Sequence, residues 1–236
     1  MTVSCRIVAE TLDLVEGMIG PGVRTSSLDR AAEEHIGKQG AKPAFKGYRG
    51  YPATLCVSVN EQVVHGIPGA SKLAEGDLVS VDVGVVCDGF YGDAARSFVV
   101  GAGTDETRKL LQVTRDALEA GIGEAVAGRR LSDISHAIQS MVESNGFSVV
   151  RDFVGHGIGR SLHEDPQIPN YGQPGKGPVL KEGMTLAIEP MVNAGGAGVR
   201  ILADRWTAVT LDGRASAHFE HTVAVTANGP RILTRV

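Results

Sequence analysis

The sequence predicts an α+β fold. Three features carry that prediction: two helix-like segments followed by strand-like runs, the same order again in the second half, and two long strand-like runs around Asp88-Gly89. Helices grouped ahead of strands point to a layered α+β fold rather than to alternating βαβ units. The chain has 236 residues, 42% of them hydrophobic and 21% charged, which is enough for a large core. A net charge of -4 and a pI near 6.0 provide no basic field, so no DNA partner is expected.

Residues 3–19 place Val3, Ile7, Val8, Leu14, Val15 and Met18 at helical spacing, and Gly20-Pro21-Gly22 stops the helix. Ser27 is the expected N-cap of a second helix over 28–39, with Gly40 beyond its end. Strand-like runs follow at 54–59 and 63–65, then the hairpin across 78–100. Thr104 is the expected cap of a helix over 105–120, and Ser132 or Asp133 opens another that Asn145-Gly146 closes. Further strand-like runs fall near 147–154, 184–192, 198–210 and 217–226, and the Gly- and Pro-rich segment 168–178 reads as a surface loop. No residue-level repeat accompanies the recurring order.

Cys5, Cys56 and Cys87 are odd in number and widely spaced, as expected for a reduced, intracellular chain. The N-terminal residues contain no apolar signal core and no run of 18 apolar residues occurs. A cytoplasmic protein without a membrane span is therefore expected.

Aspartate is depleted from strands, yet the hairpin carries Asp82 and Asp93. With Asp88-Gly89 as a two-residue turn, Asp82 lies opposite Ala95. Asp93 is then on the same face, one diagonal away, at about 7–8 Å between Cα atoms. A three-residue loop would reverse that parity. The alternative is a solvated polar face, since antiparallel sheets often expose one.

Other ligand-type residues occupy similarly odd places. Glu189 sits in TLAIEPM, Glu220 in AHFEHTVAV, His156 and His163 in FVGHGIGRSLHEDP, and His65 in VVHGIPG. Singly, each reads as an edge residue, half of an ion pair or a turn histidine. His218 and His221 flank Glu220 without an assigned role. Together, four carboxylates and an imidazole would be costly to bury unpaired, and two divalent cations would balance them. Such ligands suit Mn, Fe, Co or Zn, and a two-metal site suits metal-assisted amide hydrolysis. No G-x-S-x-G elbow, phosphate-binding G-x-x-x-x-G-K-[ST] loop or H-E-x-x-H is present, and Arg160 breaks a G-x-G-x-x-G reading of GHGIG. Cys56, in an apolar run, reads as a buried thiol or pocket wall.

The segments NEQVVHGIP, VDVGVVCDGFYGDAARSF, GHGIGRSLHEDP, GMTLAIEPMVNAG and AHFEHTVAVT occur in one order along nearly the whole chain. In these the sequence resembles the type I methionine aminopeptidases of the pita-bread metallopeptidases. The resemblance implies a single catalytic domain over 1–236, with two pseudo-symmetric halves of roughly 1–100 and 101–236. A curved antiparallel sheet flanked by helices would hold two divalent ions (Co, Mn, Fe(II) or Zn) between the halves. The implied metal ligands are Asp82, Asp93, His156, Glu189 and Glu220, with Asp93 and Glu220 bridging and Glu189 also the general base toward a bridging water. His163 would touch the scissile carbonyl or the tetrahedral oxygen, and His65 the scissile amide nitrogen. The implied methionine pocket is Tyr48, Tyr51, Cys56, Leu162 and Trp206, a mostly apolar lining that suits a thioether. Leu162 stands where the family commonly has an aromatic residue, and Phe219 where a tyrosine is common. The implied activity is removal of N-terminal methionine from nascent chains with a small second residue, by a cytoplasmic monomer, and association with the ribosome is compatible with it. Two other readings stand beside this one. An Xaa-Pro peptidase of the same fold usually carries a sizeable preceding domain, and a non-catalytic module would lack the intact ligand set.

Overall fold

The computed structural model describes residues 1–235. Among the described residues, four α-helices are formed: α1 (Thr2–Glu16), α2 (Thr25–Lys38), α3 (Asp105–Gly123) and α4 (Leu131–Ser144). All strand pairings are antiparallel, and the described strands divide into sheets of four, three, three and five strands.

The helix starts follow the sequence only in part. Thr104 caps α3 as expected, accepting a hydrogen bond from the Thr107 N–H. Ser27 does not cap α2. That helix begins three residues earlier than expected, after Arg24, and the Thr25 hydroxyl donates instead to the distant Gly69 carbonyl. Neither Ser132 nor Asp133 is the N-cap of α4. Asp133 lies in the first turn and accepts from the Arg130 N–H at 2.9 Å. In α1, Ile7, Val8, Leu12 and Val15 are buried, whereas Val3 and Leu14 are exposed.

Leu78–Cys87 pairs with Phe90–Val99 over its full length, with Asp82 opposite Ala95 and Gly84 opposite Asp93. Asp88 and Gly89 have φ of 50° and 74°, the left-handed pair that a two-residue type I′ turn requires. One face of this hairpin buries Val79, Val81, Val83 and Val85 against Ile7, Leu12, Leu28 and Ile36 of α1 and α2. A second core packs α3 and α4, through Leu110, Leu118, Ile134 and Ile138, against Leu186, Ile188 and Val223 of the five-stranded sheet.

Strand Phe90–Val99 joins the two cores. Asp93 N–H donates to Thr222 Oγ1 at 3.0 Å, and that hydroxyl donates back to the Asp93 carbonyl at 2.8 Å. Glu220 N–H donates to the Ala95 carbonyl at 2.9 Å. Ser97 Oγ donates to the His218 carbonyl and accepts from the His218 N–H. Main-chain register alone thus brings Asp93 beside Glu220.

Candidate metal centre

The runs expected as continuous strands at 184–192 and 217–226 are each interrupted at the glutamate. Thr185–Ile188 and Met191–Asn193 belong to different sheets, as do Ser216–His218 and His221–Thr226. Ile188 pairs with His221 and Met191 with His218, so Glu189-Pro190 and Phe219-Glu220 form two facing two-residue breaks. Proline cannot donate to a ladder, which accounts for the break on its own strand. The main chain freed at Glu220 bonds to Ala95 instead. Both carboxylates turn inward at a seam between sheets.

His156 lies in the short strand Gly155–Gly157, at a register shift against its neighbour. A Cβ on Gly155 would lie 2.5 Å from the Ala187 carbonyl oxygen, and one on Gly157 2.2 Å from that of Asp165. The flanking glycines therefore let two neighbouring strands close on His156. Its Nδ1 lies 2.9 Å from the Gly157 carbonyl, which can only accept, so Nδ1 carries the proton and Nε2 presents a lone pair.

All twelve residues singled out in the sequence line one cleft of about 700 Å³, open to solvent. Asp93, His156 and Glu220 are buried, and their ligand atoms lie within 4.8 Å of one another. Glu189, His218 and Glu220 form a second such group, sharing Glu220. Asp82 lines the cleft but lies outside both groups. Glu189 Oε1 is 3.5 Å from His156 Nε2. His163 Nδ1 lies 2.9 Å from Tyr48 Oη, and its ring centroid is 4.3 Å from that of His156. His65 adopts φ of 60°, a strained conformation for a side-chain-bearing residue, and its ring meets Phe153 and Trp206 edge-on.

The apolar wall is built around Tyr51, whose single hydroxyl proton is shared between the Leu55 and Gly66 carbonyls and whose ring meets Trp206 edge-on at 5.0 Å. Cys56 and Leu162 are buried beside it. Burial, reinforced by Asp82, raises the Cys56 thiol well above its ordinary range, consistent with wall rather than nucleophile. Phe45 and Arg49 also line the cleft, and neither stood out in the sequence. Arg49 follows Tyr48 in chain and covers its ring, a proximity that is the only sequence signal for it.

The electrostatics are those of a site made for cations. Oδ1 of Asp82, Oδ1 of Asp93 and Oε1 of Glu220 are buried with no hydrogen-bond partner. Burial pushes the Asp82 carboxyl up to about 7. Asp93, Glu189 and Glu220 are raised well above the carboxylate range by burial first and by neighbouring carboxylates second. Burial, with His163 nearby, lowers His156 and His65 to about 4, so both are neutral at pH 7. Orphaned carboxylate oxygens beside a neutral imidazole fit one or more divalent cations.

The chain matches Metallopeptidase family M24 over residues 1–227, and it belongs to that family. Within it, the chain is 56% identical to a methionine aminopeptidase of Clostridium perfringens over 231 residues, covering 98% of this chain and 93% of that protein. It is 57% identical to methionine aminopeptidase 1 of Bacillus subtilis, with the same coverage. The crystal structure of a methionine aminopeptidase from Thermotoga maritima superposes with a TM-score of 0.99 at 53% identity, covering 100% of this chain and 95% of that one. The fold is accordingly the α+β, pita-bread fold of these enzymes.

Proposed function

We propose that this chain is a methionine aminopeptidase, removing N-terminal methionine from peptides and nascent proteins whose second residue is small. The observation that carries the reading is the convergence of four acidic side chains and a neutral His156 in one cleft, with three carboxylate oxygens buried and unpartnered. Family membership and the methionine aminopeptidases named above support it. Residues 1–236 are taken as one catalytic domain whose halves, roughly 1–100 and 101–236, share the centre.

Asp82, Asp93, His156, Glu189 and Glu220 would hold two divalent cations, with Asp93 and Glu220 contributing to both. When bound, such ions polarise a carbonyl and lower the pKa of water. Glu189 would act as general base toward the attacking water. His163, whose Nδ1 lies beside Tyr48 Oη, would donate to the developing oxyanion. His65 would contact the scissile amide nitrogen and assist the departing amine. The substrate's free amine would sit near Asp82, and its side chain against Tyr48, Tyr51, Cys56, Leu162 and Trp206. Among the described residues no helix is long and apolar enough to cross a membrane. A cytoplasmic monomer meeting nascent chains at the ribosome belongs to the same reading.

The test is methionine release from Met-Ala-Ser and Met-Lys-Ser with Mn, Co or Fe(II). Release from the first and little from the second is expected. No release from Met-Ala-Ser with any of these metals would overturn the proposal, and preferential cleavage of Ala-Pro peptides would transfer it to the Xaa-Pro peptidases.

A further inference from the structure

His218 is 2% exposed, and its Nε2 is buried with no hydrogen-bond partner. It is held where it is: its N–H donates to Ser97 Oγ, its carbonyl accepts from the same hydroxyl, and it pairs with Met191 at the seam. Nε2 faces Glu189 Oε2 at 3.8 Å, while the other oxygen of that carboxylate faces His156 Nε2 at 3.5 Å. Glu189 is thus bracketed by two imidazoles, one on each oxygen.

The two imidazoles are not equivalent. His156 presents a lone pair, because its Nδ1 proton is committed to a carbonyl. The Glu189 oxygen that faces this lone pair has no proton to meet there, and a cation between the two would satisfy both. The opposite oxygen needs a donor, since a ligating carboxylate left free to rotate loses both orientation and affinity. We infer that His218 is a positioning residue that donates Nε2–H to Glu189 Oε2 and fixes the rotation of that carboxylate. Closing 3.8 Å to a hydrogen bond takes a movement of under about 1 Å, within the reach of a side-chain torsion. A neutral donor also adds no charge to a site whose carboxylates already balance two divalent ions. The inference rests on the reading of Glu189 as a metal ligand.

The experiment titrates the metal-free protein with Co(II), following heat and the visible absorption bands, for the parent chain, His218→Ala and His218→Gln. Expected are an affinity about 10–100-fold weaker in His218→Ala, substantial recovery in His218→Gln, whose amide can donate to the same oxygen, and band positions unchanged throughout. Should His218→Ala not fold, His218→Leu fills the volume without supplying a donor and takes its place. Parent-like affinity in the donor-less variant overturns the inference. So do Co(II) bands that shift in both variants without recovery in His218→Gln, the signature of direct ligation. A parent chain that binds no Co(II) overturns the metal reading itself, and the inference with it.

Discussion

Asp93 and Glu220 each keep an oxygen that is dry and unpartnered, although their main chains are firmly bonded to Thr222 and Ala95. The backbone bonds do not depend on the carboxylates, so fold and ligand function are separable at these positions. Asp93→Ala and Glu220→Ala are expected to stay folded and to lose both cation binding and peptidase activity. In EDTA their thermal midpoints should match or exceed the parent's, because an unpaired buried carboxyl has been removed. Melts with and without EDTA and Co(II) titration check this. A variant at Glu220 with near-normal turnover would refute the ligand assignment. His65→Ala touches no cluster of ligand atoms. It should keep cation affinity and lower kcat on Met-Ala-Ser by about 10²-fold or more, the usual scale for a lost acid–base contact.

At the scale of single elements, the strand carrying His156 is the most sensitive. Gly157→Ala would set a methyl 2.2 Å from the Asp165 carbonyl oxygen, a clash with main chain that no rotamer relieves. It is expected to destabilise the chain by about 1–3 kcal/mol and to weaken cation binding, read from urea melts and Co(II) titration. The hairpin was legible from sequence because Asp88-Gly89 dictates its turn, and the turn dictates that Asp82 and Asp93 share a face. The inward-facing charges were legible as charges in apolar runs. The breaks at Glu189-Pro190 and Phe219-Glu220 were not, because each exists only opposite the other. The start of α2 was hidden for a similar reason: Thr25 is bonded to a carbonyl 44 residues away. His218 carries no usable local signal either, because its strand ends before Glu220 and alternation does not relate the two side chains.

For the molecule as a whole, the cost of the centre should be visible in its stability. Between pH 7.5 and 8.5, histidines are mainly neutral in both folded and unfolded chains, since the unfolded value is near 6.5 and burial lowers the folded values of His65, His156, His163, His218 and His221. The four carboxyls are raised in the folded, metal-free state, Asp82 to about 7. A raised folded pKa means that the folded state holds more protons than the unfolded one, so stability falls as pH rises through this window. The metal-free protein is therefore expected to melt progressively lower from pH 7.5 to 8.5. A fixed concentration of Co(II) or Mn(II) should raise the midpoint most at the upper end, where protons compete least, and adds about 2.7 kcal/mol of stability wherever it reaches one hundred times Kd. A metal-free midpoint that rises with pH across that window would contradict the burial of the cluster.

The depth of the cleft has a consequence of its own. Asp93, His156 and Glu220 lie on a nearly inaccessible floor of the cleft, whose lining also includes the half-buried Tyr48 and the exposed Arg49. An extended polypeptide advances only about 3.3 Å per residue, so a scissile bond reaches that floor only at the tip of a loose tail. A substrate whose first residues have already docked into its own structure is out of reach. The shape of the cavity thus makes trimming a matter of timing as well as chemistry, with the recipient's own folding closing the window.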